Sequence, residues 1–495
     1  MYRSYDNEFS YKPTDRKAAS QIRMIRPGET KVKENVKEAI LKSGLRDGMT
    51  ISFHHHFRSG DYVLNDVMTI IDEMGFKDLK IAASSLTSAH NCLIDFIKSG
   101  VVTGLHTSGL RGELAKEISN GLMEEPVVIR SHGGRARAIE AGDIHIDVSF
   151  LGVASSDAYG NANGQIGSAI CGSLGYAQVD AMYADHVILV TDHLVDYPNI
   201  PSTISQMNVD QVVVVDRIGD STKIASGATR FTKNPKELLI AKQASQVIIE
   251  SEYFKDQFSF QTGSGGSSLA VTRFLETAMI DQGITARFAL GGITQPMVAL
   301  HEKGLIKHLF DVQSFDLVAA ESMKKNENHH EISASLYANP HNLGCMVNQL
   351  DVVILSALEI DKAFNVNVIT GSDGVIMGAS GGHCDTAASA KLTIIVAPLT
   401  RGRIPTVVDK VDAIITPGSS VDVLVTDRGV AINPMRDDLI DQFKESELNL
   451  VSIDELIEKA SVIVGPKKAL SHTDRTVAYI EYRDGSVIDE IKEVK

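Results

Sequence analysis

Short runs of valine and isoleucine, separated by amphipathic stretches, recur along most of this chain and limit what it can fold into. "LKIAASS" (79–85), "EPVVIRSH" (125–132), "ADHVILVTD" (184–192) and "DQVVVVD" (210–216) read as buried strands. Between them, "GDYVLNDVMTIIDEMG" and "GELAKEISNG" place apolar residues at helical spacing. Apolar strands alternating with helices predict an α/β chain with mostly parallel sheets, covered on both faces. The series restarts after residue 229 with a connecting helix in "TRFTKNPKELLIAKQASQVIIES". Apolar runs follow in "FSFQTGSGGSS", "ARFALGGIT", "LDVVILSALEID", "AKLTIIVAPL" and "VDVLVTDRGVA". This predicts two tandem α/β domains, 1–228 and 229–495, sharing a strand-loop-helix grammar without an obvious direct repeat. A chain of 495 residues with 43% hydrophobic content can bury two or three cores. "SMKKNENHHE" (322–331) reads as a surface excursion, and the tail from Asn433 as a helical peripheral cover.

Charge narrows the class. A net charge of −15 argues against a general nucleic-acid surface, and makes any cluster of arginine and histidine notable. Such a cluster holds anions against the field of the whole molecule. The four cysteines, Cys92, Cys171, Cys345 and Cys384, form no CxxC pair, which suits a reducing cytoplasm. "MYRSYDNEFSYKPTDRK" has no apolar core of a signal peptide, and no apolar run approaches the length of a membrane span. A cytoplasmic enzyme is the expectation.

One such cluster is "GMTISFHHHFRSGDY" (48–62), where three histidines end a predicted strand. In an extended strand His54 and His56 point to one face and His55 to the other, which resists a three-histidine zinc site. Arg58 is a permanent cation able to fork onto a carboxylate. The loop is therefore read as a carboxylate site using His54, His55, His56 and Arg58, with His55 facing away and contributing least. A packed core histidine would explain one of the three. Ser84 and Ser85 after the next strand, the segment from His106 to Arg111, and His132 and Arg135 at a strand-to-helix turn are weaker candidates of the same kind. Arg135 or Arg137 as a cap on solvent-side charge is the alternative.

Two glycine-rich turns complete the inventory. In "FQTGSGGSSLAVTRFLE" (260–276) a strand leads through Gly263, Ser264, Gly265 and Gly266 into a helix. Backbone amides at such a helix start can hold a phosphate or a developing oxyanion. A tight turn needing glycine is the plainer reading. A nicotinamide fingerprint fits worse, because position 268 is serine and no acidic strand end follows at the usual distance. The second turn contains a formal G-x-S-x-G match at Gly378–Gly382. Its apolar strand comes after the motif rather than before it, so a nucleophile elbow is not indicated.

The stretches Phe260–Ser268, "SALEIDKAFNVNV" (356–368), "GASGGHCDTAASAKLTIIVAPL" (378–399) and "VDVLVTDRGVA" (421–431) resemble the CoA-transferase and acetyl-CoA hydrolase superfamily. With "HHHFR", "SHGGRARAIEAGDIHIDVSFLGVASSDAYGNANG" (131–164) and both halves on one chain, the pattern most resembles the alpha-subunit family of bacterial citrate lyases. The resemblance implies two CoA-transferase-like domains and a citrate CoA-transferase. Such an enzyme exchanges acetyl for citryl on the phosphopantetheine thioester of an acyl carrier protein, or on acetyl-CoA. It implies no cofactor bound by this chain, oligomeric assembly, and beta (citryl-carrier lyase) and gamma (acyl carrier) subunits as partners, without nucleic acid or membrane. It also implies thioester contacts at Gly263, Gly381, Gly382 and Asp385, with Ser264, Gly265 and Gly266 at the reacting carbonyl. Many superfamily members carry a catalytic glutamate that here falls at Gly291, in "ALGGITQPMVALHEKGLI". Its absence implies direct attack by citrate's own carboxylate. Glu359 is the acid to suspect of replacing it, a structural role for it being the alternative. A thioester hydrolase of the same fold and a non-catalytic scaffold are the competing functions.

Overall fold

The computed structural model describes Tyr5, residues 25–225 and residues 232–495. Within them the expected α/β class holds. Two large sheets of ten and eight strands carry the molecule, and their strands pair almost entirely in parallel. The first runs 211–214, 186–191, 148–152, 50–53, 79–83, 102–107, 127–130 across its centre. The second runs 423–426, 392–396, 352–356, 259–262, 286–293, 306–314, 329–331. Numbered within each half, these are the same strand order. Central strands such as Leu392–Val396 are buried along their whole length, which is why they are continuous apolar runs rather than alternating ones. Capping side chains set the helix starts: Ser131 Oγ accepts the Gly134 amide at 2.9 Å ahead of the helix His132–Ala141.

A repeat invisible as plain sequence identity appears in the hydrogen bonds. Asp157 Oδ1 accepts the amides of Tyr159 and Asn161 at 2.9 and 3.1 Å, and Asp361 Oδ1 those of Ala363 and Asn365, both at 3.0 Å. Asn163 Oδ1 then accepts from Gln165 and Ile166, and Asn367 Oδ1 from Ile369 and Thr370. Asp-x-x-x-Asn-x-Asn thus closes the same turn in each half.

The boundary at 228/229 lies outside the described residues, and two other expectations need amendment. The tail is helical only through Asp437–Gln442 and Ile453–Val464. It then returns as an antiparallel pair, His472–Glu481 with Val487–Val494, which adds to the first sheet beside Val127–Arg130. Residues 472–494 therefore pack with the first half although they follow the second in sequence. Glu481 explains the docking: its buried carboxylate pairs with Arg130 and Arg137, each at 2.8 Å. Finally, the excursion at 322–331 ends in an edge strand, His329–Glu331, rather than in solvent. Among the described residues, no helix is long and apolar enough to cross a membrane.

Candidate active site

In each sheet the first strand of the series lies where the order reverses: Thr50–Phe53 between Val148–Gly152 and Leu79–Ala83, and Ser259–Thr262 between Val352–Ser356 and Ala286–Ile293. Such a switch point opens a crevice at the carboxyl ends of the strands. The histidine loop and the glycine turn are thus topologically equivalent, each leaving the first strand of its half. They face one cavity of about 330 Å³, with His55, Arg58, Ser85 and His132 on one wall and Gly263, Ser264, Gly265, Gly381 and Gly382 on the other. Backbone bonds join the walls: the His132 amide donates to Gly381 O and the Ser380 amide to Ser108 O, both at 2.8 Å.

The histidine alternation holds, but the faces are opposite to the expectation. His55 lines the cavity, and its Nδ1 lies 2.6 Å from Ser84 Oγ. His54 and His56 lie behind it with ring centroids 3.8 Å apart, and none of their four buried ring nitrogens has a hydrogen-bond partner among the described residues. The reason is where the strand ends: the crevice sits over the face to which His55 points. Burial, then His132 and the neighbouring cations, pushes the His55 imidazole well below its usual range. Burial likewise lowers His56 and His132 to about 3. Tyr176 stacks on His55 at 5.1 Å between centroids and packs at a tilt against His132 at 4.6 Å.

Arg58 adopts φ +52° and lays its guanidinium 4.8 Å from the Phe315 ring of the other half. Burial, then Arg111, pushes it down to about 10, still a cation at neutral pH. Arg111, at the start of the helix Gly112–Ser119, and Arg401, on the hairpin Thr400–Arg401/Ile404–Pro405, also line the cavity. Arg58 and Arg111 form no ion pair among the described residues. No aspartate or glutamate among the described residues lines this cavity, in a chain that carries 63 of them.

Other expected residues lie elsewhere. Ser84 is buried behind His55, to whose amide its Oγ is bonded at 3.0 Å. Arg135 is held by Asp180 at 2.7 Å and by Ala82 O at 2.9 Å, and it does not line the cavity. Arg137, wholly buried, pairs with Glu481 at 2.8 Å and with the solvent-exposed side of Asp143 at 2.6 Å, so it takes up a solvent-side charge rather than lining the cavity. Gly266 faces a separate groove beyond the turn. Asp385 does not line the cavity: its carboxylate accepts from Ser131 Oγ at 2.8 Å and the Gly133 amide at 2.9 Å, and burial raises it to about 6. Glu359 is buried outside the cavity and pairs with Lys467 at 2.8 Å, which favours its structural reading.

Two glycines of the second half sit where a side chain would collide with a neighbour. A Cβ on Gly265 would lie 2.5 Å from Ser356 Oγ, so any larger residue in the turn would force that hydroxyl to move. The turn opens the helix Gly266–Gln282, whose first amides have no intrahelical acceptor and are free to face a ligand. At Gly291, φ is +100° and a Cβ would lie 2.6 Å from Gln261 Cδ. Gln261, held by Tyr337 Oη at 2.9 Å, fills the space a glutamate side chain would need. Gln261, Gln313, Tyr176, Tyr337, His383 and Arg401 carry no motif signal; only the tertiary fold collects them here.

The family model described as citrate lyase, alpha subunit (CitF), matches residues 29–494. The citrate lyase alpha chain of Haemophilus influenzae is 59% identical over 467 residues, covering 94% of this chain and 93% of that protein. A Streptococcus mutans structure described as the alpha subunit of citrate lyase in complex with citrate is 57% identical, with a TM-score of 0.98. It covers all of this chain, and the match spans 97% of that one. The alpha subunit of malonate decarboxylase from Acinetobacter baumannii matches with a TM-score of 0.64 at 16% identity over 84% of each chain, which speaks to the fold alone.

Proposed function

This chain belongs to the citrate lyase alpha-subunit family, and from that premise we propose that it is a citrate CoA-transferase whose site is the cavity between the two glycine- and histidine-bearing strand ends. It works within a multi-subunit citrate lyase, on a thioester presented by an acyl carrier partner, whose product a separate lyase subunit cleaves. The chain is read as two domains of one topology, the second returning its last hairpin to the first.

The observation that carries the assignment of the site is charge. A strongly acidic chain lines one cavity with Arg58, Arg111 and Arg401 and, among the described residues, with no carboxylate. That is an environment for a polyanion. Arg58, Arg111 and His55 hold citrate. One citrate carboxylate attacks the acetyl thioester carbonyl, whose oxyanion faces the amides of Ser264 and Gly265. The thiolate of the carrier leaves, and a citryl–acetyl anhydride remains. The thiolate then attacks the citryl carbonyl, giving the citryl thioester and acetate, so no net atom is gained or lost. Holding both reactants in register supplies on the order of 7–11 kcal/mol of the barrier, which is the main task of a site without a nucleophile of its own.

The test is transfer itself. Acetyl-carrier incubated with labelled citrate should yield labelled citryl thioester and acetate in equal amounts, and no acetate without citrate. Acetate release without citrate would identify a hydrolase, and neither product a scaffold.

A further inference from the structure

His55 is the one cavity imidazole built to become a cation. Its Nδ1 lies 2.6 Å from Ser84 Oγ, an oxygen with a lone pair to spare after accepting the His55 amide, and its other nitrogen is left for the cavity. His132 also lines the cavity, but its buried Nδ1 has no partner among the described residues, so protonation would strand an N–H. His383 has both nitrogens engaged, with Thr416 Oγ1 at 2.7 Å and Ser356 O at 3.0 Å, and has none left for a ligand. We propose that His55 takes up a proton when the tricarboxylate binds, acting as a switchable cation beside Arg58 and Arg111.

The surroundings hold His55 neutral while the cavity lacks an anion. From its own loop it faces His54, His56 and Arg58; from the helix His132–Ala141, His132, with Arg135 next to His54; from the helix Gly175–Tyr183, Tyr176. Asp180 is spent on Arg135, and Asp311 on His329 and Ser314. The second half contributes Gln313, which donates to His55 O at 3.1 Å. Every charge close to His55 is thus positive or latent positive. An anion reverses that balance: each opposite charge within hydrogen-bonding range raises an imidazole by roughly one to three pH units. A fixed arginine in place of His55 would hold the product as tightly as the substrate, whereas a proton can leave with either.

This inference rests on citrate binding in the cavity. The experiment is calorimetric titration of the full-length protein with citrate, in two buffers of different ionisation enthalpy. Mildly alkaline pH is chosen, where free citrate is fully ionised and free imidazole neutral. The wild type should take up a measurable fraction of a proton per citrate, and its affinity should weaken as pH rises further. His55→Gln should bind more weakly, with uptake falling near zero, while His132→Gln keeps it. Binding without any buffer dependence in the wild type overturns the proposal, as does uptake unchanged in His55→Gln, which would place the proton on the ligand or another group. Absence of any binding in the wild type would instead contradict the citrate reading itself.

Discussion

Arg58 has its guanidinium against Phe315 and no carboxylate partner among the described residues, so its charge is available to a ligand. A charge-assisted fork onto a carboxylate is worth roughly 1.5–3 kcal/mol, or about ten- to a hundredfold in affinity. Arg58→Ala should raise the citrate requirement by that factor, measured as KM in the transfer assay, with the fold unchanged by circular dichroism. An unaltered KM would remove Arg58 from the site. The histidines follow the observed faces: His55→Gln should cost more than His54→Gln or His56→Gln, because only His55 lines the cavity. Gly265→Val tests the other wall. Its Cβ would meet Ser356 Oγ, displacing amides whose individual loss in comparable sites costs about 2.7–4 kcal/mol of transition-state stabilisation. Transfer should fall by at least a hundredfold with citrate binding retained; normal turnover would rule the turn out.

The C-terminal hairpin is the element the sequence reading lost. Its strand "TVAYIEY" is rich in β-branched and aromatic residues and its turn carries Asp484-Gly485, a hairpin signal, but the helical stretch before it has the stronger local pattern. The signal that mattered was electrostatic and nonlocal, since Glu481 meets Arg130 and Arg137 hundreds of residues upstream. Glu481→Ala should therefore strip the buried Arg130 guanidinium of its carboxylate, leave Arg137 with Asp143 as its carboxylate partner, and cost about 3–5 kcal/mol of stability in urea denaturation. A midpoint close to wild type would show that the hairpin is held by its backbone pairing alone. The histidine loop shows the same divide between local and tertiary information. Alternation along the strand was legible, because it follows from backbone geometry. Which face meets the cavity was not, because that depends on the second sheet. Arg135 read as a cavity cation until the structure brought Asp180 to it. The glycine turn and the strand series were legible throughout, since both are local patterns.

At the scale of the whole molecule, two sheets of one strand order place their switch points together, so a cationic loop and an amide turn become the two walls of one cavity. No carboxylate among the described residues lines it, and Gln261 fills the space beside Gly291. The enzyme should accordingly form no acyl adduct. With acetyl thioester alone, hydroxylamine or borohydride treatment should leave its mass unchanged, and a trapped adduct on any acid would contradict direct attack. The most direct measurement follows the oxygen atoms. With the protein in excess over acetyl-carrier, a single turnover on citrate carrying oxygen-18 in its carboxylates should release acetate with one oxygen-18, because the bridging oxygen of the anhydride comes from citrate. Acetate free of oxygen-18 would mean that its new oxygen came from the protein or from water, and that the attacking carboxylate was not the substrate's.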